Sequence, residues 1–153
     1  IMMCVSNTQS VESVVNGLLL SLRQGQIIID FSSISPDATQ ALASAVAEKG
    51  VSWIDSPVSG GVAGAEAGTL AIMAGGSQSE IEKVMPLLEP LSQRVTHMGP
   101  NGSGQTTKIC NQMIVKYSQA KVGDVQVVNE ILELYRFIVE KYAGFNHGGA
   151  NIS

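Results

Sequence analysis

Lys108 and Asn111 lie three residues apart just after a glycine-punctuated run, Gly99-Pro100-Asn101-Gly102-Ser103-Gly104-Gln105-Thr106-Thr107. A glycine turn that runs into a helix puts the Lys108 amine near a helix start. Side chains at i and i+3 share a helical face, so Lys108 and Asn111 point the same way. The partial positive charge of a helix start disfavours protonated lysine, as does burial, and such an amine is suited to exchange protons near neutral pH. The same residues also fit a glycine-rich loop, a helix and an ordinary surface lysine. A second constellation is Asp55-Ser56-Pro57-Val58-Ser59-Gly60-Gly61. There Ser59 and the amides around Gly60 and Gly61 could form a nest for a carboxylate, or the stretch could be a tight connector packed under another element. His97, in an apolar strand before the glycine turn, reads as a packing or local hydrogen-bonding residue, and His147, among glycines, as an exposed one. Cys4 and Cys110 show no metal-ligand spacing and read as buried thiols of a reducing compartment, so no metal site is expected.

The elements that must position these residues alternate. Residues 1–5 form a short apolar run fit for a buried strand, and Asn7 follows among residues suited to cap a helix. Val11, Val14, Val15, Leu18, Leu19 and Leu22 recur at helical spacing up to Gly25, which is placed to end the segment. Residues 26–31, with three consecutive isoleucines, suit a strand buried on both faces of a parallel sheet. Ser35-Pro36-Asp37 signals the start of an alanine-rich helix over residues 38–49, and residues 51–54 give a third strand. Strand, helix, strand, helix, strand implies right-handed crossovers in a parallel sheet, with ligands beyond the carboxyl ends of its strands. Asn7, Ser32, Ser33 and residues 55–61 would lie on that edge. Residues 69–74 read as another strand, residues 79–91 as a helix interrupted by Pro86 and Pro90, and residues 94–98 as a short strand. The helix carrying Lys108 should continue through Val115, followed by an irregular stretch over residues 116–124. A helical stripe returns over residues 127–142, before a loose tail.

The 153 residues suffice for one domain with a real core and part of a second. Apolar residues make up 44% and charged ones 14%, which excludes a charge-rich disordered segment and suggests a surface partly covered by a partner. A net charge of −4 without a basic run argues against a nucleic-acid surface. No apolar run approaches the roughly 18 residues of a membrane span, and no targeting segment is visible.

The two constellations, with Ile29-Asp30-Phe31-Ser32-Ser33-Ile34-Ser35-Pro36 and Ala65-Glu66-Ala67-Gly68-Thr69-Leu70-Ala71-Ile72-Met73-Ala74-Gly75-Gly76, occur in an order that closely resembles the β-hydroxyacid dehydrogenase family, which includes 3-hydroxyisobutyrate dehydrogenase and tartronate semialdehyde reductase. The resemblance runs from residue 1 to about residue 115. It implies an NAD(P)-dependent oxidoreductase of short 3-hydroxy acids. It also implies an α/β fold with a partial Rossmann-type parallel sheet and helices in residues 1–102, followed in residues 103–153 by the start of an interdomain helix and remnants of an all-helical domain. By the same resemblance Lys108 is the catalytic proton-transfer residue, and Asn111 holds substrate beside it. Ser59, Gly60 and Gly61 grip the substrate carboxylate, and Asn7 and Ser33 line the site of NAD or NADP. The family's glycine-rich dinucleotide turn has no counterpart here, and most of its second domain is missing between the Lys108 helix and the closing segment. The expectation is therefore an N-terminally truncated family member, a homo-oligomer of the cytoplasm or the mitochondrial matrix. The alternative is a catalytically incompetent fragment serving binding or assembly.

Overall fold

Ile28 and Ile29 are both buried, yet they point to opposite faces of their strand, and that one pair accounts for much of the architecture. In the computed structural model, which describes residues 1–119 and Glu133, β1 (Met2–Met3), β2 (Ile27–Asp30) and β3 (Ser52–Asp55) are parallel neighbours. Register aligns Met3 with Asp30 and Asp30 with Asp55, so the carboxyl ends of all three strands finish on one edge. Ile28 and Trp53, paired across β2 and β3, lie in a cluster with Val11 and Val15 of α1 (Thr8–Leu18) and with Leu42 and Val46 of α2 (Pro36–Ala47). Ile29 and Ile54, also paired, face the other way. They pack with Ile81, Val84 and Leu88 of α4 (Gln78–Leu88). Full burial of such side chains contributes about 1.5–3 kcal/mol each, so both faces of the sheet are held by substantial apolar contact.

The parallel order holds over the first three strands and then changes. After β3 come β4 (Val58–Ser59), α3 (Gly61–Ala67) and β5 (Leu70–Gly75). β5 runs antiparallel to β3 and to β4, whereas β6 (Ser92–Gly99) runs parallel to β5. β4 continues the line of β3, since Asp55, Val58 and Ser59 pair in one antiparallel register with Gly75, Ile72 and Ala71, and the chain reverses after β4, over residues 60–69. The small-residue stretch after Gly60, read from sequence as a connector or nest, is thus a short helix ended by Gly68 in the left-handed conformation. α1 stops at Leu18, earlier than its apolar spacing suggests. Leu19 and Leu22 nonetheless still pack on the core from the following turn. α4 runs through Pro86, which offers no N–H to the Glu82 carbonyl, and continues in a 3₁₀ turn (Glu89–Leu91). Cys4, expected to be buried, is exposed, because β1 ends at Met3 and Cys4 belongs to the loop beyond; Cys110 is half-buried.

α5 (Ser103–Gln119) carries Lys108 and runs four residues past Val115, into the stretch expected to be irregular. The chain divides into two compact units, Ile1–Lys108 and Ile109–Ser153. Within the second, Met113 is buried while Ile114 and Tyr117 are exposed. The stripe over residues 127–142 and the tail with His147 lie outside the described residues. Among the described residues no helix is long and apolar enough to cross a membrane.

Candidate active site

The edge formed by the carboxyl ends of β1, β2 and β3 carries Asn7 and Ser33 and receives the start of the helix that holds Lys108. Asn7 follows β1, is exposed, and caps α1, its Oδ1 accepting from the Ser10 N–H at 2.8 Å. Ser33 is exposed in the loop between β2 and α2, flanked by the buried residues Ser32 and Ile34. That loop is ordered by its own polar contacts: Asp30 Oδ1 accepts from the Ser32 N–H at 2.9 Å, and the Ser32 hydroxyl accepts from the Val5 N–H at 2.9 Å.

Asp55, fully buried at the end of β3, ties α5 to the same edge. Its Oδ1 accepts from the Gly102 N–H at 2.9 Å and its Oδ2 from the Gln105 N–H at 3.1 Å. Helix starts leave such N–H groups without intrahelical partners, and a remote carboxylate here does what a local cap does elsewhere. Close approach requires glycine on both sides. A Cβ at Gly75 would fall 2.6 Å from both Asp55 carboxylate oxygens, and one at Gly104 would meet Asp55 Oδ2 at 2.8 Å and crowd the Met73 carbonyl. Burial pushes the Asp55 carboxyl above the ordinary range, opposed by the backbone N–H groups it receives. Asp30, its register partner, is raised too, first by burial and in small part by Asp55 itself, and its Oδ2 has no hydrogen-bond partner.

The glycine turn before α5 is anchored as well. Asn101 Nδ2 donates to the Trp53 carbonyl at 2.7 Å. His97 Nε2 lies 2.9 Å from the Gly76 and Gly99 carbonyls, which fixes its proton on that nitrogen and makes His97 a local brace. Lys108 sits half-buried in the second turn of α5, one turn beyond Gln105. Burial lowers the pKa of its ammonium, since desolvation disfavours the charged form.

Ser59 lies half-buried in β4, paired with Ala71 of β5. Gly60 and Gly61 follow with φ of 131° and 62°, a succession of left-handed conformations that glycine alone adopts readily, and they open α3. Asn111 is half-buried in the second unit. The fold therefore brings the Ser33 loop, Asp55 and the start of the Lys108 helix to one edge and puts Ser59 to Gly61 on the β4–α3 turn. Asp55 and Gln105 stood inside the motifs, but their roles were missed. The signal was a helix start rich in glycine with no local acid, preceded in sequence by an acid at a strand end. Among the described residues no group of three His, Cys, Asp or Glu side chains is arranged to hold a metal ion.

The family model for the NAD binding domain of 6-phosphogluconate dehydrogenase matches residues 1–99. The chain belongs to this family, among the β-hydroxyacid dehydrogenases. It is 46% identical over 127 residues to 2-hydroxy-3-oxopropionate reductase of Escherichia coli (strain K12), covering 81% of this chain and 44% of that protein. It is 40% identical over 125 residues to 2-(hydroxymethyl)glutarate dehydrogenase of Eubacterium barkeri, covering 80% and 42%. Among solved structures, 3-hydroxyisobutyrate dehydrogenase of Mycobacterium tuberculosis with L-serine superposes with a TM-score of 0.77 at 30% identity, covering 97% of this chain and 51% of that one. The chain thus spans less than half the length of these two curated relatives. The fold expectation of a Rossmann-type α/β sheet is met, with the reversal after β3 as its refinement.

Proposed function

We propose that this chain serves an NAD(P)-dependent oxidoreductase that interconverts a short 3-hydroxy acid and its semialdehyde. The observation that carries the reading is the desolvated Lys108 amine, on a helix whose first turn is tied to the ligand edge of the sheet by Asp55. Asn7 and Ser33 offer exposed, uncharged hydrogen-bonding groups at the ends of β1 and β2. That donor set suits ribose hydroxyls and a nicotinamide amide rather than a pyrophosphate, so these two residues would hold the nicotinamide half of the dinucleotide. When bound, the dinucleotide supplies the hydride acceptor.

The chain's own residues do the rest. Ser59, with the backbone of Gly60 and Gly61, holds the substrate carboxylate, and Asn111 orients the hydroxyl. Lys108 Nζ, uncharged, would take the proton from the hydroxyl oxygen while the carbon bearing that hydroxyl gives up its hydride and becomes a carbonyl, and it would return the proton to the carbonyl oxygen in the reverse direction. A lysine whose pKa is lowered by burial is suited to that exchange, because the fraction that is uncharged rises at working pH. The family's relatives named for oxidation or reduction of small hydroxy acids support this class of substrate. A homo-oligomer is the expected assembly.

The test is the Lys108→Ala variant of the full protein, assayed with a panel of short 3-hydroxy acids. Turnover should fall by about 10²–10⁴-fold with the dinucleotide still bound. Near-normal turnover contradicts the role given to Lys108. Absence of NADH and NADPH binding by the unsubstituted chain would favour the binding or assembly module instead.

A further inference from the structure

Gln105 is 1% exposed, and its side-chain amide reaches 71 and 73 residues back along the chain. Oε1 accepts from the Ile34 N–H at 3.2 Å, and Nε2 donates to the Ser32 carbonyl at 2.8 Å. Backbone groups fix the orientation of this amide, since an N–H must meet the oxygen and a carbonyl must meet the nitrogen. The two groups it holds belong to the residues on either side of Ser33, whose own side chain remains exposed. The Gln105 backbone N–H in turn donates to Asp55. One residue therefore joins the loop after β2, the end of β3 and the first turn of the helix that carries Lys108.

We propose that Gln105 is a positioning residue that sets the Ser33 loop and the Lys108 helix in one frame, so that dinucleotide and proton-transfer amine meet in register. This rests on the dehydrogenase reading above. The chemistry of the side chain is specific: asparagine is too short to make both bonds, glutamate loses the donor toward Ser32, and methionine of similar length loses both. Misplacement of a cofactor loop by an ångström is enough to reduce turnover strongly, so the effect should exceed what the loss of two buried contacts does to folding.

The experiment compares the full chain with its Gln105→Met and Lys108→Ala variants by NADH and NADPH fluorescence titration and by amide hydrogen exchange. Gln105→Met should weaken dinucleotide binding by about tenfold or more, and it should release the Ile34 amide to fast exchange. Lys108→Ala should leave both unchanged. Wild-type dinucleotide affinity in a folded Gln105→Met chain overturns the proposal. Should that variant fail to fold, the unsubstituted chain decides: Ile34 and Gln105 amides exchanging in a single opening step support the frame, and an Ile34 amide exchanging like a free loop overturns it. If the unsubstituted chain binds neither dinucleotide, the dehydrogenase reading fails, and the exchange of Ile34 then judges the Gln105 frame by itself.

Discussion

Replacing Gly104 by alanine sets two effects of opposite sign against each other. Gly104 lies in the first turn of α5 without a positive φ, and helix propensity alone favours alanine there by about 1 kcal/mol. The surroundings oppose it. A Cβ at Gly104 would stand 2.8 Å from the Asp55 carbonyl oxygen and 2.8 Å from Asp55 Oδ2, with the Met73 carbonyl closer still. Two of these are strand backbone and the third is a buried carboxylate, so none can swing aside as a flexible side-chain tip could. Relief requires the helix start to lift from β3 and β5. Overpacking of this kind costs about 1–3 kcal/mol. Stretching the bonds from Gly102 and Gln105 to Asp55 adds about 1–3 kcal/mol for each N–H left unmet. Set against the propensity gain of about 1 kcal/mol, the net expected loss is about 2–8 kcal/mol, or a fall in Tm of at least about 5 °C. Gly17→Ala is the control, for a Cβ there meets nothing within 4 Å and the residue lies within α1. It should stabilise by about 0.5–1 kcal/mol. Urea and thermal unfolding of both variants measure the difference. If Gly104→Ala proves as stable as Gly17→Ala, the close seating of α5 on the buried carboxylate is wrong.

The buried acids give a pH dependence of definite sign. Asp30 and Asp55 have folded-state pKa values above the ordinary 3.8. In the window between that value and the folded ones the native state holds more protons than the unfolded chain. Stability therefore falls as pH rises through the window and stays lower above it. Urea unfolding from pH 4 upward should follow this course, and Asp30→Asn should flatten part of the slope. Lys108 has the opposite protonation and a lowered pKa, so its burial opposes folding below its folded-state value and the cost is relieved as pH rises toward 10.5. Lys108→Met should consequently leave Tm near neutral pH undiminished while turnover is lost, as calorimetry beside an activity assay would show. Gly60→Ala places a side chain at a φ of 131° and should cost about 1–3 kcal/mol while weakening substrate binding, read as a rise in KM.

The elements with plain periodicity were legible in the sequence. Ile27 to Ile29 announced a strand buried on both faces, and Ser35 with Pro36 announced the start of α2, where the Ser35 hydroxyl accepts from the Ala38 N–H. The strand-end placement of Ser33 and the helix that follows the glycine turn and carries Lys108 were legible in the same way. What escaped it depends on contacts distant along the chain. The reversal of β5 against β3 and β4 takes place over residues 60–69, and no local pattern in residues 69–74 distinguishes parallel from antiparallel pairing. Apolar spacing carried α1 too far because Leu19 and Leu22 reach the core from a turn. Asp55 and Gln105 were invisible as partners because their bonds join residues some 50 and 70 positions apart. A buried acid beside glycines is recognised as a helix anchor only once the strand and helix are set end to end.

The most direct measurement is the rate of NAD⁺ and NADP⁺ reduction by short 3-hydroxy acids, compared between the full protein and its Lys108→Ala variant at equal dinucleotide saturation. Turnover is expected with at least one such acid, with a loss of about 10²–10⁴-fold in the variant and dinucleotide affinity retained. Turnover by Lys108→Ala within a few-fold of the unsubstituted protein would contradict the role of Lys108.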